Sequence, residues 1–236
     1  MSDKQARQER KYELALDTST DVSSIAISSG GEVVMEFTWK LGNSHTAELV
    51  PGIDYLLRKL RASPRELRAV FVAKGPGSFN GLRVGVSTAK GLAFALGIPV
   101  VGVGTLEVEA YAFAHTGLPI CAVHNAGRGE LAVAFFQQRD RWQCLKGEHL
   151  TTLEALCGQI EGATLFCGEI AEQVIEALRA RLGERAVIAE PVARLRRAGY
   201  LAALGWSRLA AGKTDDPVTL QPIYMRPPPI TQRKVR

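Results

Sequence analysis

The hydrophobic and polar positions at the beginning of the chain predict strands. Three apolar, β-branched runs, YELALDT, VSSIAIS and EVVMEFTWK, are separated by the turn-prone clusters STD and SGG. This pattern is typical of short antiparallel strands joined by tight turns. Apolar side chains then recur at positions 49, 53, 56 and 60, which predicts a helix from about Ser44 to Arg61.

The same order of elements occurs twice along the chain. The pattern next predicts a strand within SPRELRAVFVAKGP, a helix from about Gly81 to Leu96, a strand in PVVGV and a helix from Thr105 to about His115. From Leu118 onward, three strand-like runs again precede helix, strand, helix, strand and a last helix over ARLRRAGYLAALGWSRLAAG. We therefore predict an α/β fold of two lobes with a duplicated βββαβαβα order, as in the actin, sugar-kinase and heat-shock-chaperone class.

The predicted boundaries follow from this duplication. Residues 1–11 are charged and nearly devoid of apolar side chains, which predicts a disordered leader. Residues 12–117 are assigned to the first lobe, and residues 118–229 to the second lobe with its extended C-terminal segment. Residues 230–236 are assigned to a basic tail, for which a solvated terminus is favoured over contact with phosphate groups.

Composition narrows the class of protein. The net charge of +5 comes from 29 basic and 24 acidic residues, and the folded part contains no long block of Lys or Arg. This balance permits contact with RNA without requiring it. The four cysteines form no CxxC pair, and no apolar N-terminal run suits a signal peptide or a membrane span. We therefore expect a cytoplasmic protein with reduced thiols and no membrane contact.

The stretch KGPGSFNGLRVG lies between a predicted strand and a predicted helix, as phosphate loops do. Its glycines match neither the GxGxxG spacing nor the GxxxxGK[ST] spacing. One interpretation is a tight turn that needs positive backbone angles. The other is a loop near a nucleotide, tRNA or a protein partner, with backbone donors at a helix N-terminus. Its candidate residues are Gly75, Gly77, Ser78, Asn80 and Arg83, with Asp17, Thr18 and Ser19 of the first hairpin.

Four segments taken together resemble the TsaB family. They are LALDTSTDVSSIAI, NSHTAELVPGIDYLL, KGPGSFNGLRVGVSTAKGLAFALGIPVVGV and PIYMRPP. The resemblance covers nearly the whole chain from Tyr12 to about Pro229 and is strongest in the first lobe. A GPGSF run before a small-residue helix, at this distance from a DTST hairpin, is a specific signal.

The resemblance implies a protein that joins TsaD, TsaE and TsaC in making threonylcarbamoyladenosine beside the anticodon of certain tRNAs. TsaC makes a threonylcarbamoyl-adenylate, and TsaD transfers the threonylcarbamoyl group to adenosine. The expected role of this chain is a noncatalytic scaffold that pairs with TsaD through the first lobe, and with a second copy of itself when TsaD is absent. Candidate tRNA contacts in the tail are Arg233, Lys234 and Arg236.

The residues indicate that this chain is not the catalyst. TsaD-like proteins place two metal-binding histidines four residues apart after the PVVGV-like strand, and Thr105 and Glu109 hold those positions here. Asn125 stands where the second hairpin would carry an acid, and the HNAGRGE segment also departs from the DAR of the TsaB pattern. FCGE supplies only Gly168 where an adenosine site would use a glycine pair. We expect no catalytic residue, no metal and no cofactor.

Two helices of the first lobe are expected to form the partner surface. Two apolar residues of the first helix lie about 80° to 100° from its core stripe, and small residues recur along one line of the second. The alternative is that these faces pack on each other within one chain. The candidate residues are Val50, Leu57, Gly81, Gly85, Thr88 and Leu92.

Two other functions remain to be weighed. An ATP-dependent enzyme of the actin and sugar-kinase type would use Asp17 and residues 75–81. A peptidase would need a metal pair or a nucleophile with its base. The sequence offers no metal pair, because no two of its four histidines stand three or four residues apart, and it shows no recognisable arrangement of a nucleophile and its base. The four histidines are His45, His115, His124 and His149.

Overall fold

The computed structural model describes residues 11–40 and 45–226, so most of the predicted leader and the whole basic tail lie outside the described residues. Within these ranges, each half of the chain contains five strands and three α-helices. The first half comprises β1 (Tyr12–Asp17), β2 (Val22–Ser29), β3 (Glu32–Lys40), α1 (His45–Lys59), β4 (Leu67–Ala73), α2 (Phe79–Leu96), β5 (Val100–Val103) and α3 (Thr105–Tyr111). The second comprises β6 (Ile120–Gly127), β7 (Glu130–Gln138), β8 (Trp142–Thr151), α4 (Leu153–Gly158), β9 (Thr164–Glu169), α5 (Glu172–Leu182), β10 (Ala186–Ile188) and α6 (Ala198–Ala210).

The two sheets have the same topology, which confirms the predicted duplication. The strand orders are β3-β2-β1-β4-β5 and β8-β7-β6-β9-β10. In each sheet the first three strands form an antiparallel meander, and the next two strands run parallel to the first. A parallel neighbour requires a crossover connection, and the helices that follow β3, β4, β8 and β9 supply it.

The start of the last helix corrects a sequence prediction. The run ARLRRAG does not begin a helix at residue 193, because Arg197 is extended and α6 starts at Ala198. The first N–H groups of α6 find acceptors in the other lobe. Ala198 donates to the hydroxyl of Ser24 at 2.8 Å, and Gly199 donates to the carboxylate of Glu36 at 2.9 Å. A helix begins where its unpaired N–H groups are satisfied, and here strands β2 and β3 satisfy them.

The predicted α1 and α3 also extend too far. Arg61 has a positive φ of 52°, which ends α1 at Lys59. Helix α3 ends at Tyr111 and is followed by a separate short 3-10 turn at Ala114–Thr116. Both differences concern the ends of elements, where side-chain periodicity carries the least information.

Helices α3 and α6 cross over between the halves. Helices α1 and α2 cover one face of the first sheet, and α6 covers its other face through Leu201 and Leu204, which pack with Phe71. Conversely, α3 packs on the second sheet through Leu106 and Ala110. The predicted lobe boundary at residue 118 therefore follows chain order, whereas packing exchanges the last helix of each half. This exchange brings α3 and the segment before α6 to the centre of the molecule.

Candidate functional site

The turn after β1 is buried. Asp17, Thr18, Ser19 and Thr20 are each at most 5% exposed. The carboxylate of Asp17 accepts through Oδ1 from the backbone N–H of Ser19 at 3.0 Å and from its hydroxyl at 2.5 Å. Burial of a carboxylate is costly unless its oxygens are paired, so the second oxygen, Oδ2, needs a cationic or N–H partner.

Arg196 supplies that partner from the segment before α6. It is 4% exposed, and its Nη1 donates to Oδ2 of Asp17 at 3.1 Å and to the hydroxyl of Ser19 at 3.0 Å. Its Nη2 donates to Oε1 of Glu109 at 2.5 Å and lies 3.7 Å from Oε1 of Glu169. Burial lowers the pKa of Arg196, but the surrounding carboxylates outweigh burial and raise it. A permanent cation therefore occupies the centre of the predicted site.

Glu109 connects this cation to the second sheet. Its Oε2 lies 2.7 Å from Nε2 of His124 on β6, and both side chains are buried. Burial raises the pKa of Glu109, but His124 and Arg196 more than offset burial and hold this pKa below its ordinary value. The network thus links the turn after β1, helix α3, strand β6 and the segment before α6. We call Asp17, Glu109, His124 and Arg196 the central network.

The central network leaves little free space on one side and faces an open cleft on the other. A cavity of about 10 Å³ lies beside Glu109 and Arg196, which is enough for about one water molecule. The open cleft has a volume of about 560 Å³, and its charged lining residues are Asp21, Lys40, Glu109, Glu169, Arg194 and Arg196. A ligand in that cleft would therefore meet the guanidinium of Arg196 and Glu169 before it could reach Asp17.

Neither position aligned with the metal-binding histidines is available as a ligand. The hydroxyl of Thr105 accepts from the backbone N–H of Gly75 at 3.1 Å, and both carboxylate oxygens of Glu109 are paired within the central network. Across residues 11–40 and 45–226, no group of three or more His, Cys, Asp or Glu side chains is placed to hold a metal ion. Helix α3 thus uses these positions to hold a loop and a guanidinium.

The glycines of KGPGSFNGLRVG are explained by close packing on the first hairpin. A Cβ on Gly77 would lie 2.1 Å from the carbonyl oxygen of Ser19, and Gly75 has a φ of +115°. The N–H of Ser78 donates to the same carbonyl at 2.6 Å, and the hydroxyl of Thr18 donates to the carbonyl of Gly81 at 2.7 Å. These contacts favour the tight-turn interpretation, because the loop leaves no gap for a phosphate between itself and the hairpin.

The outer residues of this loop are exposed. Ser78 caps α2 by accepting from the N–H of Gly81 at 3.3 Å, and Asn80 lies in the first turn of the helix. The guanidinium of Arg83 lies over the ring of Phe79, 5.2 Å from its centroid. Ser78, Asn80 and Arg83 therefore remain accessible, whereas Asp17, Thr18 and Ser19 do not.

The second hairpin is built differently from the first. Asn125 is exposed at the end of β6, and its side-chain oxygen accepts from the N–H of Gly127 at 2.8 Å, which closes the turn. Gly168 has a φ of +99°, and a Cβ there would lie 2.5 Å from the carbonyl of Val123 and 2.9 Å from Glu109. Gly168 is therefore required for the approach of β9 to the central network.

The predicted partner residues divide between core and surface. Val50 is 59% exposed, whereas Leu57 is 4% exposed and belongs to the core between α1, α2 and the first sheet. Gly81 and Gly85 are also buried, and a Cβ on Gly85 would lie 2.5 Å from the hydroxyl of Thr18. Leu57, Gly81 and Gly85 therefore offer no side-chain surface to a partner. The remaining candidates, Thr88 and Leu92, are half-buried.

Other residues singled out in the sequence are dispersed. His115 is exposed, and Nδ1 of the half-buried His149 lies 2.8 Å from the carbonyl of Gly147. The side chain of His45 and the tail residues Arg233, Lys234 and Arg236 lie outside the described residues. In the described part of the chain, no helix is both long and apolar enough to cross a membrane.

Sequence reasoning missed Arg196. It stands in the arginine-rich run ARLRRAG, which reads as the polar beginning of a surface helix. Arg194 and Arg197 beside it are half-buried and exposed, respectively. The single available signal was the buried acid of the first hairpin, which requires a counter-charge from somewhere in the chain.

Comparison with known proteins places this geometry in a family. A model of TsaD, described as tRNA N6-adenosine threonylcarbamoyltransferase, matches residues 40–219. The tRNA threonylcarbamoyladenosine biosynthesis protein TsaB of Bacillus subtilis (strain 168) is 35% identical over 127 residues, covering 54% of this chain and 56% of that protein. TsaB of Escherichia coli (strain K12) is 33% identical over 127 residues, covering 53% and 54%. The chain thus spans about half the length of the curated relatives it matches.

The solved structure of YeaZ from Pseudomonas aeruginosa extends the likeness to the whole fold. Its TM-score is 0.77 at 25% identity, and the match covers 91% of this chain and 99% of that chain. Sequence similarity and backbone similarity therefore point to the same family.

Proposed function

This chain belongs to the TsaB family, within the wider group that the TsaD family model describes, and we propose that it is a noncatalytic scaffold and activator of TsaD. In this proposal it pairs with TsaD through the first lobe and acts with TsaC and TsaE in the biosynthesis of threonylcarbamoyladenosine in tRNA. It meets tRNA through the assembled complex, and it forms a homodimer when TsaD is absent. The reduced thiols of its four cysteines suit the cytoplasm.

The observation that carries the proposal is the position of Arg196. Its guanidinium pairs with Asp17 and Glu109, the hairpin acid and one of the two positions aligned with metal ligands. Phosphoryl or carbamoyl transfer in this fold would need room and free ligands at that point. An internal cation that already pairs with both carboxylates supports a structural role for them.

The proposed partner surface is the exposed face of α1 and α2. Val50, Tyr55 and Phe94 are exposed by 59%, 51% and 82%, and Thr88 and Leu92 lie half-buried on α2. Helix faces with apolar side chains and small residues suit close packing against helices of a partner. The same face would serve the homodimer, so the two assemblies exclude each other.

Reconstitution with Asp17→Asn separates the scaffold from the kinase-like alternative. The amide keeps the size of the side chain and an oxygen to accept from Ser19, but cannot serve an enzyme that needs the carboxylate for a metal ion. The wild-type chain and the variant are added to TsaD, TsaC, TsaE and tRNA, and threonylcarbamoyladenosine is measured by mass spectrometry of nucleosides. We expect equal activation by both folded proteins, and no threonylcarbamoyladenosine from this chain alone.

Titration of the isolated chain with ATP and magnesium gives the opposing outcome. Tight binding accompanied by ATP turnover, both abolished by Asp17→Asn, would establish the enzyme and overturn the scaffold. Circular dichroism and size-exclusion chromatography of the variant verify that any loss is not a loss of fold.

A further inference from the structure

Two neighbouring clefts share an aromatic wall. The first, of about 630 Å³, lies between residues 76–79, the second hairpin and residues 223–226. The second, of about 430 Å³, lies between α2 and residues 220–224. Phe79 and Tyr224 line both clefts, with ring centroids 5.0 Å apart and planes inclined at 36°. They are 38% and 37% exposed, so part of each ring is open to a ligand.

The lining of both clefts is cationic. Arg128 and Arg226 line the first cleft, and Arg83 and Lys90 line the second. Among the described residues that line either cleft, there is no Asp or Glu. The chain as a whole has 24 acidic and 29 basic residues, so a lining with cations and no carboxylate differs from its average composition. Such a lining attracts anions.

Two of these cations are available to a ligand. Lys90 donates to the backbone carbonyls of Val218 and Leu220, and Arg226 pairs with Glu130. Arg83 lies over the ring of Phe79 and, in the described part of the chain, has no carboxylate within 4.0 Å. Arg128 is exposed in the second hairpin, with a φ of 56°. Among the described residues, it too has no carboxylate within 4.0 Å.

We propose that the two clefts bind a segment of single-stranded RNA. Bases would stack against the exposed parts of the Phe79 and Tyr224 rings, and Arg83 and Arg128 would pair with phosphates on either side. Exposed aromatic rings inside a cationic groove are how proteins bind unpaired strands without reading their sequence. The inference goes beyond the proposed function, because it gives this chain a direct RNA contact. It rests on the proposed function only for the identity of the RNA as tRNA.

Charge and shape favour RNA over a peptide. A peptide groove would pair backbone groups or insert apolar side chains, and neither needs two unpaired arginines beside exposed aromatic rings. A polyanion with flat aromatic groups uses both features of this lining at once.

The test measures fluorescence anisotropy of a labelled oligouridylate of about ten nucleotides, titrated with the full chain without TsaD. Phe79→Leu combined with Tyr224→Leu should weaken binding roughly tenfold or more, because stacking on each ring is lost. Arg83→Gln and Arg128→Gln should each lower the slope of log affinity against log salt by about 0.7. Phe79→Tyr and Tyr224→Phe keep the rings and should bind like the wild type.

Matched controls lie elsewhere on the same surface. Phe37→Leu removes a 41% exposed ring from β3, and Arg65→Gln removes an exposed charge from the turn before β4. Neither should change affinity by more than about twofold. Equal loss from the controls, equal binding of polyphosphate, or absence of RNA binding by the wild type would each overturn the proposal. Because TsaD is absent, these outcomes leave the scaffold proposal to its own experiment.

Discussion

Nη1 of Arg196 lies 3.1 Å from Oδ2 of Asp17, and this ion pair joins residues 179 positions apart in the chain. Both side chains are buried, so solvent screens the ion pair only weakly. A buried carboxylate without its counter-charge is strongly unfavourable. The first hairpin therefore depends on a side chain from the other end of the protein.

Replacing Arg196 by Met should lower the free energy of unfolding by about 3–5 kcal/mol, because Asp17 and Glu109 would remain buried without their cation. Urea unfolding followed by circular dichroism measures this loss. Arg197→Met is the matched control. Its pair with Glu36 is exposed on the arginine side, so we expect a loss of about 1 kcal/mol or less. Similar values for both variants would contradict the central role of Arg196.

Glu109 should contribute to loss of stability in acid. Its pKa is held below the ordinary glutamate value in the folded protein, so the unfolded state binds the proton first as pH falls. The stabilisation is present above the ordinary pKa and is lost as pH falls through the lower folded pKa. Glu109→Gln cannot titrate at this position. Unfolding measured between about pH 7 and about pH 3 should show a shallower acid decline for this variant than for the wild type. Parallel curves would argue against the assigned pKa shift.

Leu57→Glu should lower stability and Val50→Glu should lower binding to TsaD, although both sites lie on α1. Leu57 is buried in the core, so a carboxylate there should cost about 3 kcal/mol or more and unfold part of the population. Val50 is exposed, and its substitution should change stability by about 0.5 kcal/mol or less. If α1 carries the partner surface, Val50→Glu should remain folded but fail to co-purify with TsaD. A stable Val50→Glu protein that still binds TsaD would remove α1 from the proposed surface.

Two glycines of α2 form a second matched pair. A Cβ on Gly85 would lie 2.5 Å from the hydroxyl of Thr18, whereas a Cβ on Gly91 meets nothing within 4 Å. Gly91→Ala should stabilise the protein by up to about 1 kcal/mol, since alanine favours helix. Gly85→Ala should destabilise it, because the buried Thr18 is held by its bond to Gly81. Thermal unfolding of both variants compares them, and equal stabilisation would show that the hairpin yields readily.

Local patterns predicted most of the fold because strands and helices record their own periodicity. The runs YELALDT and VSSIAIS became β1 and β2, and the stripe that includes Leu49 and Leu56 faces the core. The sequence places Leu57 at the edge of that stripe, among the expected partner residues, whereas the structure buries it. The apolar face of α1 is wider than one stripe because α2 packs beside it as well as the sheet beneath it.

The centre of the molecule could not be predicted from local patterns. Whether Arg196 lies in a surface helix or in the core depends on Ser24 and Glu36, which set the start of α6 from the other half of the chain. The glycines of KGPGSFNGLRVG posed a similar problem, because a phosphate loop and a tight turn use the same residues. The packing of Ser19 and Thr18 of the first hairpin against this loop distinguishes the two.

The exchange of α3 and α6 has a consequence for how the protein is made. During synthesis, the first sheet emerges with α1 and α2 but without α6, so the side of Phe71 that later contacts Gly205 stays open to water. That apolar face can close only after residues 198–210 have left the ribosome, and the contacts that close it span most of the chain. The first half therefore cannot complete its core until the last helix has been made, whereas α3 is already present when the second sheet forms, and the two halves mature as one cooperative unit.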